Sequence, residues 1–351
     1  MGRNGTVWVW GGDNEYGLCG DGSKNPLYEP RRVQKLVNAK AVACGDNFSM
    51  ALMDDGTVCS WGHNLFGQLG DGTGYNSPEP VRVPNLSHVV AIGAGHSHAL
   101  ALQDDGKVWA WGWNYFGQLG DGTYEDKCSP VLVMEDARAI AGGRTHSLAV
   151  KKDGTVWAWG RNGYGQLGDK TYVDHPKPIK VPLLADAVSV AAGNHHSLAL
   201  MGDGTVYAWG DNSSCQIGDG SGSDRNAPVA VLKDAKAIQA GATFSVALDR
   251  EGDIWVWGDG FWGQTATGRF FELQPIPFEL QQIGGVTNIA AGYSHILALT
   301  REDVVYAWGN NFFGKLGDGS VNKSCVPLAV SRIRNVKSIA AGGNHSLAVT
   351  R

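Results

Sequence analysis

The sequence lacks the features that would direct it to nucleic acid or to a membrane. Only 18% of its 351 residues are charged, the formal net charge is -5, and no block of basic residues occurs. Neither nucleic acid nor an anionic lipid surface is therefore a predicted partner. The apolar runs are too short to span a bilayer, and the beginning carries no secretory signal peptide. The sequence as given predicts a cytoplasmic protein, although a secreted domain without its signal peptide would read the same.

Motifs for metal binding and catalysis are also missing. The six cysteines lie without Cys-x-x-Cys spacing, which argues against a disulfide framework and against a zinc site. The sequence contains no Asp-x-Asp-x-Asp-Gly calcium loop and no P-loop lysine after its Gly-Asp-Gly turns. No Ser-His-Asp or Cys-His set stands apart from the repeats described below. We therefore predict no metal, no cofactor and no catalytic residues, and we favour a protein without enzymatic activity.

Glycine, by contrast, is abundant, and it recurs beside tryptophan at a regular interval. The chain has 50 glycines, which calls for many turns. Trp-Gly pairs fall 48 to 51 residues apart along the whole sequence. Their tryptophans are Trp10, Trp61, Trp111, Trp159, Trp209, Trp257 and Trp308. Seven repeats of this length predict either a solenoid or a propeller.

The pattern within each repeat predicts strands and no helix. In one repeat, "HSLAV" (residues 146–150) alternates, "KKDG" (151–154) is typical of a hairpin turn, and "TVWAW" (155–159) is β-branched and aromatic. Three or four short antiparallel strands per repeat are typical of a propeller blade. The predicted fold class is therefore all-β, a seven-bladed β-propeller that forms one domain over residues 1–351.

The two ends of the sequence complement each other. The chain finishes with "AAGGNHSLAVTR" (residues 340–351) and starts with "MGRNGTVWVWGG" (residues 1–12), which correspond to the two halves of one repeat. We therefore predict that N-terminal and C-terminal strands share the closing blade. This arrangement removes the open sheet edges that an unclosed ring would leave.

Three motifs carry a resemblance to a known family. They are "AGGRTHSLAV" (residues 141–150), "DGTVWAWG" (153–160) and "NGYGQLGD" (162–169), and versions of them recur along essentially the whole chain. The sequence resembles the regulator of chromosome condensation repeat family, whose members form seven-bladed propellers. The resemblance implies the fold and leaves the activity open.

Activities known in that family need features that this sequence lacks. The founding member, an exchange factor for a small GTPase, depends on a long β-wing insertion and a basic tail, whereas no repeat spacing here exceeds 51 residues. A plant UV-B photoreceptor has tryptophan in its Gly-Trp-Arg-His-Thr loops, but no tryptophan occupies the matching positions here. Those positions are Asp46, His96, Arg144, Asn194, Ala242, Tyr293 and Gly343. A bacterial β-lactamase inhibitor of similar architecture binds through loop aromatics, which implies a mode of binding.

Residues that recur in nearly every repeat are interpreted as scaffold. Each Trp-Gly tryptophan suits a blade core. A histidine column occupies five repeats, with Phe48 and Phe244 in the other two. Its members are His98, His146, His196, His295 and His345. Equivalent positions lie around a ring and phenylalanine cannot ligate, so we interpret each histidine as a structural donor to a loop carbonyl and predict no metal there.

Two variable positions between "WGxN" and "GQLG" carry the functional prediction. Six of seven repeats place an aromatic residue there, although the Ser213-Ser214 repeat indicates that the fold does not require one. The glycine-containing loops before the histidine column are expected on the same face, and they add His96, Arg144 and Tyr293 to the predicted binding residues. The rings either fold back over their own blades or form an exposed binding surface, and we favour binding. The predicted binding residues are Tyr16, Phe66, His96, Tyr115, Phe116, Arg144, Tyr164, Phe261, Trp262, Tyr293, Phe312 and Phe313.

Three functions remain open at this point. We predict that the aromatic face binds a partner protein of unknown identity. Alternatively, a small molecule or glycan binds, or even reacts, in the axial depression, or the face mediates self-association. The candidate groups in the depression are Glu15, Asp46, His96 and Arg144. Repeat six departs most from the pattern, because "GQTATGRFFELQPIPFEL" (residues 263–280) replaces "LGDG" and adds Phe270-Phe271, which indicates a secondary contact or a drifted blade.

Overall fold

The protein is a ring of seven four-stranded antiparallel sheets, one for each repeat. A computed structural model describes residues 5–351, and within this range the regular structure is β-strand apart from a 3-10 turn at Phe312–Gly314. No helix in that range is long and apolar enough to cross a membrane. We number the blades by their Trp-Gly pairs, so that Trp10 lies in blade one and Trp308 in blade seven. The predicted all-β, seven-bladed fold is confirmed.

Twenty-eight strands form these blades within residues 5–351. The strands of blades one to three are β1 (Thr6–Gly11), β2 (Leu27–Arg32), β27 (Val336–Ala341) and β28 (His345–Thr350); β3 (Ala39–Cys44), β4 (Phe48–Met53), β5 (Val58–Gly62) and β6 (Ser77–Arg82); β7 (Val89–Ala94), β8 (His98–Gln103), β9 (Val108–Gly112) and β10 (Lys127–Met134). Those of blades four and five are β11 (Ala137–Gly142), β12 (His146–Lys151), β13 (Val156–Gly160) and β14 (His175–Lys180); β15 (Ala187–Ala192), β16 (His196–Met201), β17 (Val206–Gly210) and β18 (Arg225–Leu232). Those of blades six and seven are β19 (Ala235–Ala240), β20 (Phe244–Asp249), β21 (Ile254–Gly260) and β22 (Glu272–Leu280); β23 (Val286–Ala291), β24 (His295–Thr300), β25 (Val305–Gly309) and β26 (Ser324–Ala329).

The strands of a blade follow one another from the axis to the rim. In blade four the order is β11-β12-β13-β14. The innermost strand reads "ARAIAG", and small residues suit this position because seven such strands converge on the axis. The second strand is almost entirely buried, whereas the outermost strand is half exposed. The core therefore lies between adjacent blades, around the second and third strands.

The tryptophan of every Trp-Gly pair joins its blade to the preceding one. All seven tryptophan side chains are fully buried. Each indole Nε1 donates a hydrogen bond of 2.8–3.0 Å to a main-chain carbonyl in a loop of the preceding blade. Tryptophan recurs at this position because its indole buries a large apolar area and its Nε1 still finds a hydrogen-bond acceptor. The scaffold interpretation of this column agrees with these contacts.

The N-terminal strand closes the ring in blade one, as predicted. β1 pairs with β28 over six residues, from Thr6 opposite Thr350 to Gly11 opposite His345. The sheet order is β2-β1-β28-β27, so the outer half of the blade comes from the beginning of the chain and the inner half from its end.

The histidine column lies at the joints between blades, and its partner differs from the predicted one. The Nε2 atom of each histidine lies 2.8–3.0 Å from a serine hydroxyl of the next blade, and not at a loop carbonyl. Four of these serines in turn donate to the carbonyl that also accepts the tryptophan Nε1. At those joints the serine is a donor to the carbonyl, so it accepts from a histidine that is protonated on Nε2.

The two phenylalanine exceptions are matched by a second substitution. Phe48 packs in a cluster with Ala99, and Phe244 packs in a cluster with Ile296. Ala99 and Ile296 occupy the positions that hold serine at the other five joints. Each joint is therefore either a histidine–serine pair or an entirely apolar pair. The histidines are structural, and the sequence signal for this pairing is the simultaneous loss of both polar residues.

Candidate functional site

The predicted site residues all lie on one face of the ring. There the first strand of each blade turns into the second, and the third strand ends in a long loop that leads to the fourth. The two loops are joined in each blade; in blade three the Trp113 amide donates to the Ser97 carbonyl at 2.9 Å. We call this surface the loop face, segments such as residues 95–97 axial turns, and segments such as residues 113–126 long loops.

A closed ring of main-chain hydrogen bonds ties the seven axial turns together. The residue after the first glycine of each turn donates its amide to a carbonyl in the axial turn of the next blade, at 3.0–3.2 Å. The donors are Asp46, His96, Arg144, Asn194, Ala242, Tyr293 and Gly343. The side chains at these positions vary between blades, whereas their backbone is fixed by the ring.

A buried asparagine organises the long loop in six blades. In blade three, Asn114 accepts a hydrogen bond from the Leu119 amide at 2.9 Å and donates to the Thr123 carbonyl at 3.0 Å. Asp121 accepts from the Thr123 amide at 2.9 Å, and the glycines on either side of this aspartate have positive φ. Blade six is the exception, because Gly260 stands where the others have asparagine. In the other six blades the loops are held by their own polar side chains.

The two variable positions of a long loop have different environments. The first projects into solvent, as in Tyr115, which is 68% exposed, and Phe312, which is 55% exposed. The second is half-buried in most blades, because its side chain lies sideways towards the next blade. For example, the ring of Phe66 lies 5.8 Å from that of Trp113. In Tyr115-Phe116 and Phe261-Trp262 one exposed ring is therefore combined with one that packs between blades, an arrangement intermediate between the two sequence alternatives.

From blade one to blade five these sideways contacts form a continuous line. Successive members are 4.6–6.1 Å apart, measured between ring centroids or from the guanidinium carbon to a centroid. The aromatic line consists of Tyr16, His63, Phe66, Trp113, Phe116, Arg161, Tyr164 and His195. Edge-to-face rings and a cation over ring faces stabilise such a line.

Half of this line was missed by sequence reasoning. His63, Trp113 and Arg161 directly follow the Trp-Gly pair in three successive repeats, and His195 lies beside a predicted axial-turn position. The sequence does contain a signal for them: the residue after Trp-Gly varies from repeat to repeat, whereas its neighbours recur. Burial lowers the pKa of His195 to about 4, with the charges of Arg161 and Arg144 acting in the same direction.

A second group of rings lies at the joint of blades six and seven. Phe261 contacts Trp262 and Phe271 edge-to-face, at centroid distances of 4.9 and 4.6 Å. Trp262 in turn contacts Phe312 of the next blade at 5.2 Å. Ser213-Ser214 of blade five separates this group from the aromatic line.

Phe313 adopts a backbone conformation that differs from its counterparts. In blade three, the Phe116 amide donates to the side-chain oxygen of Gln118 at 2.9 Å. Blade seven has Lys315 in place of that glutamine and so offers no acceptor; Phe313 has φ of 70° and is 40% exposed. The Lys315 ammonium instead donates to Asn344 Oδ1 at 3.0 Å, and burial lowers its pKa to about 8.

An axial cavity of about 300 Å³ opens between the axial turns. At its mouth, Asp46 Oδ2 lies 3.2 Å from His96 Nε2, and the exposed Arg144 occupies the next turn. Burial raises the pKa of Asp46, but hydrogen bonding to His96 and the positive charges around it outweigh burial and lower the pKa overall. Glu15 was wrongly assigned to this cavity: it is an exposed long-loop residue of blade one and does not line the opening.

Further aromatic residues lie towards the rim of the loop face. Tyr75 is 82% exposed, and Tyr124 and Tyr172 are each 55% exposed. They occur in the long loops, shortly after the glycine-aspartate turn. These residues were not predicted, because their spacing from the turn varies by a residue between repeats.

The repeats, the closing strand and the loop face define a propeller of the RCC1 type. The RCC1-like domain family matches residues 1–235, and the regulator of chromosome condensation (RCC1) repeat matches residues 251–299 and 302–349. The chain therefore belongs to the RCC1-like domain family, as its repeat motifs predicted.

Solved structures with the same fold extend over the whole chain. Human WBSCR16 has a TM-score of 0.88 at 24% identity and covers 99% of both chains. Prp20p from Saccharomyces cerevisiae, described with its binding properties to Gsp1p and histones, has a TM-score of 0.87 at 23% identity over 99% of this chain and 92% of its own. At this identity the likeness establishes the fold alone.

Two sequence relatives match over the length of about one repeat. E3 ubiquitin-protein ligase HERC2 from Homo sapiens is 44% identical over 62 residues, and the mitochondrial RCC1 domain-containing protein RUG3 from Arabidopsis thaliana is 40% identical over 63. Each match covers 17% of this chain, but only 1% and 14% of the respective relative.

Proposed function

We propose that the chain binds a partner protein through its loop face. The observation that carries this proposal is the number of large apolar side chains left exposed in the long loops and axial turns of that face. They are Leu65, Tyr75, Tyr115, Tyr124, Tyr172, Val173, Phe261, Phe271, Tyr293, Phe312, Phe313 and Val321. Exposed apolar surface concentrated on one face is typical of interaction sites. The serines at the same loop positions in blade five indicate that the blade itself does not need these rings.

The backbone of the face supports the proposal. The ring of hydrogen bonds between axial turns and the asparagine-centred bonds of the long loops hold the backbone before any partner arrives. A surface that is already ordered loses little conformational entropy on binding. Tyrosine, tryptophan and arginine are also the residues that most often anchor protein interfaces.

The solved relatives support a protein as the partner. Prp20p is described with its binding properties to Gsp1p and histones, and a further structure contains Kap60 bound to yeast RCC1 (Prp20). These partners belong to Prp20p. Because fold alone does not transfer a partner, the identity of the partner of this chain has to come from experiment.

The experiment is affinity capture from an extract of the source cells. A variant with Leu65→Ser, Tyr115→Ser and Phe312→Ser removes exposed rings or apolar tips that make no core contact. A matched control, Val90→Ser with Leu183→Ser and Val188→Ser, removes three exposed apolar residues from the opposite face. Near-ultraviolet circular dichroism verifies that both variants keep their tryptophan packing.

We expect the wild type and the opposite-face control to retain the same protein and the loop-face variant to lose it. Equal recovery by all three would contradict the proposal. Sedimentation of the purified protein tests whether the partner is a second copy of the chain. In that case the wild type and the control sediment as dimers, and the loop-face variant sediments as a monomer.

A second candidate function is the binding of a small polar ligand at the axial mouth. Asp46, His96 and Arg144 supply a carboxylate, an imidazole and an exposed guanidinium around a cavity of about 300 Å³, the lower end of the usual range for ligand sites. Native mass spectrometry of the protein incubated with a metabolite extract tests it. Binding that Arg144→Ala abolishes, with partner capture unchanged, would favour this function; no adduct would exclude it.

A further inference from the structure

At the joint of blades six and seven, an ammonium group lies over three aromatic rings. Lys323 Nζ lies 4.3 Å from the ring centroid of Phe270, 4.5 Å from that of Phe271 and 5.4 Å from that of Trp262. Phe261 packs edge-to-face on both Trp262 and Phe271, which supports the arrangement from outside. We call Trp262, Phe270 and Phe271, with the partly open space between them, the aromatic cage.

Both sides of the cage depart from the repeat. In blades three, four and five an aspartate at the position of Lys323 accepts a hydrogen bond from the asparagine amide of its long loop, at 2.6–2.9 Å. A lysine cannot accept that bond. On the other side, Phe270 and Phe271 belong to the one long loop without the organising asparagine. These two irregular loops meet at the joint, where Lys323 of one lies over Phe270 and Phe271 of the other.

Phe271 has a left-handed backbone conformation. Its φ is 63°, a region that bulky side chains rarely occupy. The Phe271 amide donates to the Gly260 carbonyl at 3.1 Å, which holds the residue in this conformation. In this conformation the Phe271 ring lies beside Lys323, whose ammonium is 4.5 Å from the ring centroid.

Among the side-chain hydrogen bonds of the described residues none involves the Lys323 ammonium, to which the cage offers ring faces. Within residues 5–351, Lys323 takes part in none of the ion pairs. A primary ammonium is strongly hydrated and loses hydrogen bonds to water on entering such a site. A quaternary ammonium has no N–H to satisfy, and stacked ring faces are the surroundings in which proteins recognise it.

We propose that the aromatic cage recognises a trimethylated lysine side chain of the partner protein, and that Lys323 occupies the cage until this ligand displaces it. The inference rests on the proposed function, since it names one side chain of the partner that the loop face binds. A tethered group competes at a local concentration in the millimolar range, so an unmodified lysine of a partner would not displace Lys323. Trimethylation lowers the free-energy cost of desolvating the incoming ammonium, so the trimethylated side chain can displace Lys323.

The test uses a probe that carries the charge without the rest of a partner. N-acetyl-trimethyl-lysine methylamide and its unmethylated counterpart are titrated by calorimetry into the full chain and into Lys323→Ser. We expect Lys323→Ser to bind the trimethylated probe at least tenfold more tightly than the wild type, and at least tenfold more tightly than the unmethylated probe. Adding Phe271→Ser to that variant should abolish binding. Lys24→Ser, which removes an exposed lysine from the long loop of blade one, should leave the wild-type affinity unchanged.

Absence of binding by a folded Lys323→Ser protein would overturn the inference, as would equal affinity for the two probes. Because the probe makes no other contact with the loop face, its binding does not depend on the partner. Partner capture without probe binding would therefore contradict the cage alone, and probe binding without partner capture would contradict the broader function alone.

Discussion

At the scale of single residues, the joints between blades show why some polar groups are repeated. His146 Nε2 lies 2.9 Å from Ser197 Oγ, and Ser197 donates to a carbonyl at 2.8 Å. A buried polar atom is stabilising only while its partner is present. The blades that dispense with the histidine have also dispensed with the serine, which indicates that the pair acts as one unit.

We predict that the pair can be replaced together but not singly. Ser197→Ala alone leaves the His146 N–H buried without an acceptor and should lower the free energy of unfolding by about 1–3 kcal/mol. His146→Phe with Ser197→Ala copies the Phe48–Ala99 joint and should cost less than the serine substitution alone. Urea unfolding of both single variants and the double variant completes the cycle. Additive losses would contradict the pairing.

The same histidines predict how stability depends on pH. Burial lowers the pKa of His98 to about 3 and those of His196 and His345 to about 4, so the folded protein holds them neutral. The unfolded chain titrates them near 6.5 and binds more protons below that pH. Their stabilising contribution is therefore complete above about pH 6.5 and is lost as the pH falls towards 4.

Each buried histidine should cost about 1 kcal/mol between pH 7 and pH 5.5. Thermal unfolding in matched buffers measures the total. The His146→Phe/Ser197→Ala variant should show a shallower dependence than the wild type because it has one fewer such group. A melting temperature that is flat across this range would contradict the assignment of neutral histidines.

At the scale of elements, the long loop is the unit that separates scaffold from surface. Its asparagine, aspartate and glycines repeat because they satisfy the backbone of the turn, whereas its variable pair does not take part in those bonds. This division was predictable from the sequence. The sideways packing of Phe66 on Trp113 was not, because it depends on which residue of a neighbouring blade lies beside the loop.

Loss of the organising asparagine should loosen one long loop without unfolding the blade. In Asn114→Ala, the Leu119 amide loses its acceptor and should exchange with solvent at least tenfold faster. The stability of the whole protein should fall by about 1–3 kcal/mol. Hydrogen exchange with mass spectrometry measures both, with the Asn162 loop of the next blade as internal reference. Unchanged exchange at Leu119 would show that the asparagine does not hold the loop.

At the scale of the whole molecule, the ring depends on the pairing of the first and last strands. Thr6 and Thr350 face each other across β1 and β28, with their hydroxyl oxygens 2.6 Å apart. A disulfide between Thr6→Cys and Thr350→Cys would close nearly the whole chain into a loop. It should raise the free energy of unfolding by about 2–5 kcal/mol. Reductant should reverse the gain; an oxidised protein no more stable than the reduced one would contradict closure at this joint.

Repetition explains how much of the whole could be predicted from the sequence. Seven copies of one motif identify the strands, the closing blade and the loop face, because a pattern seen seven times is insensitive to changes in any one copy. The aromatic cage was not predicted beyond an unusual blade six. Lys323 and Phe271 lie 52 positions apart in the sequence, in two loops that each break the pattern in a different way. Only their packing brings them together.

A photo-cross-linking amino acid on the loop face reports whether a partner protein binds there. The cross-linker is placed at Tyr115 on the loop face in one protein and at Leu183 on the opposite face in another, both highly exposed positions. In an extract of the source cells, we expect a discrete cross-linked protein from position 115 and none from position 183. Cross-linking from position 183 alone, or from neither position, would contradict binding at the loop face.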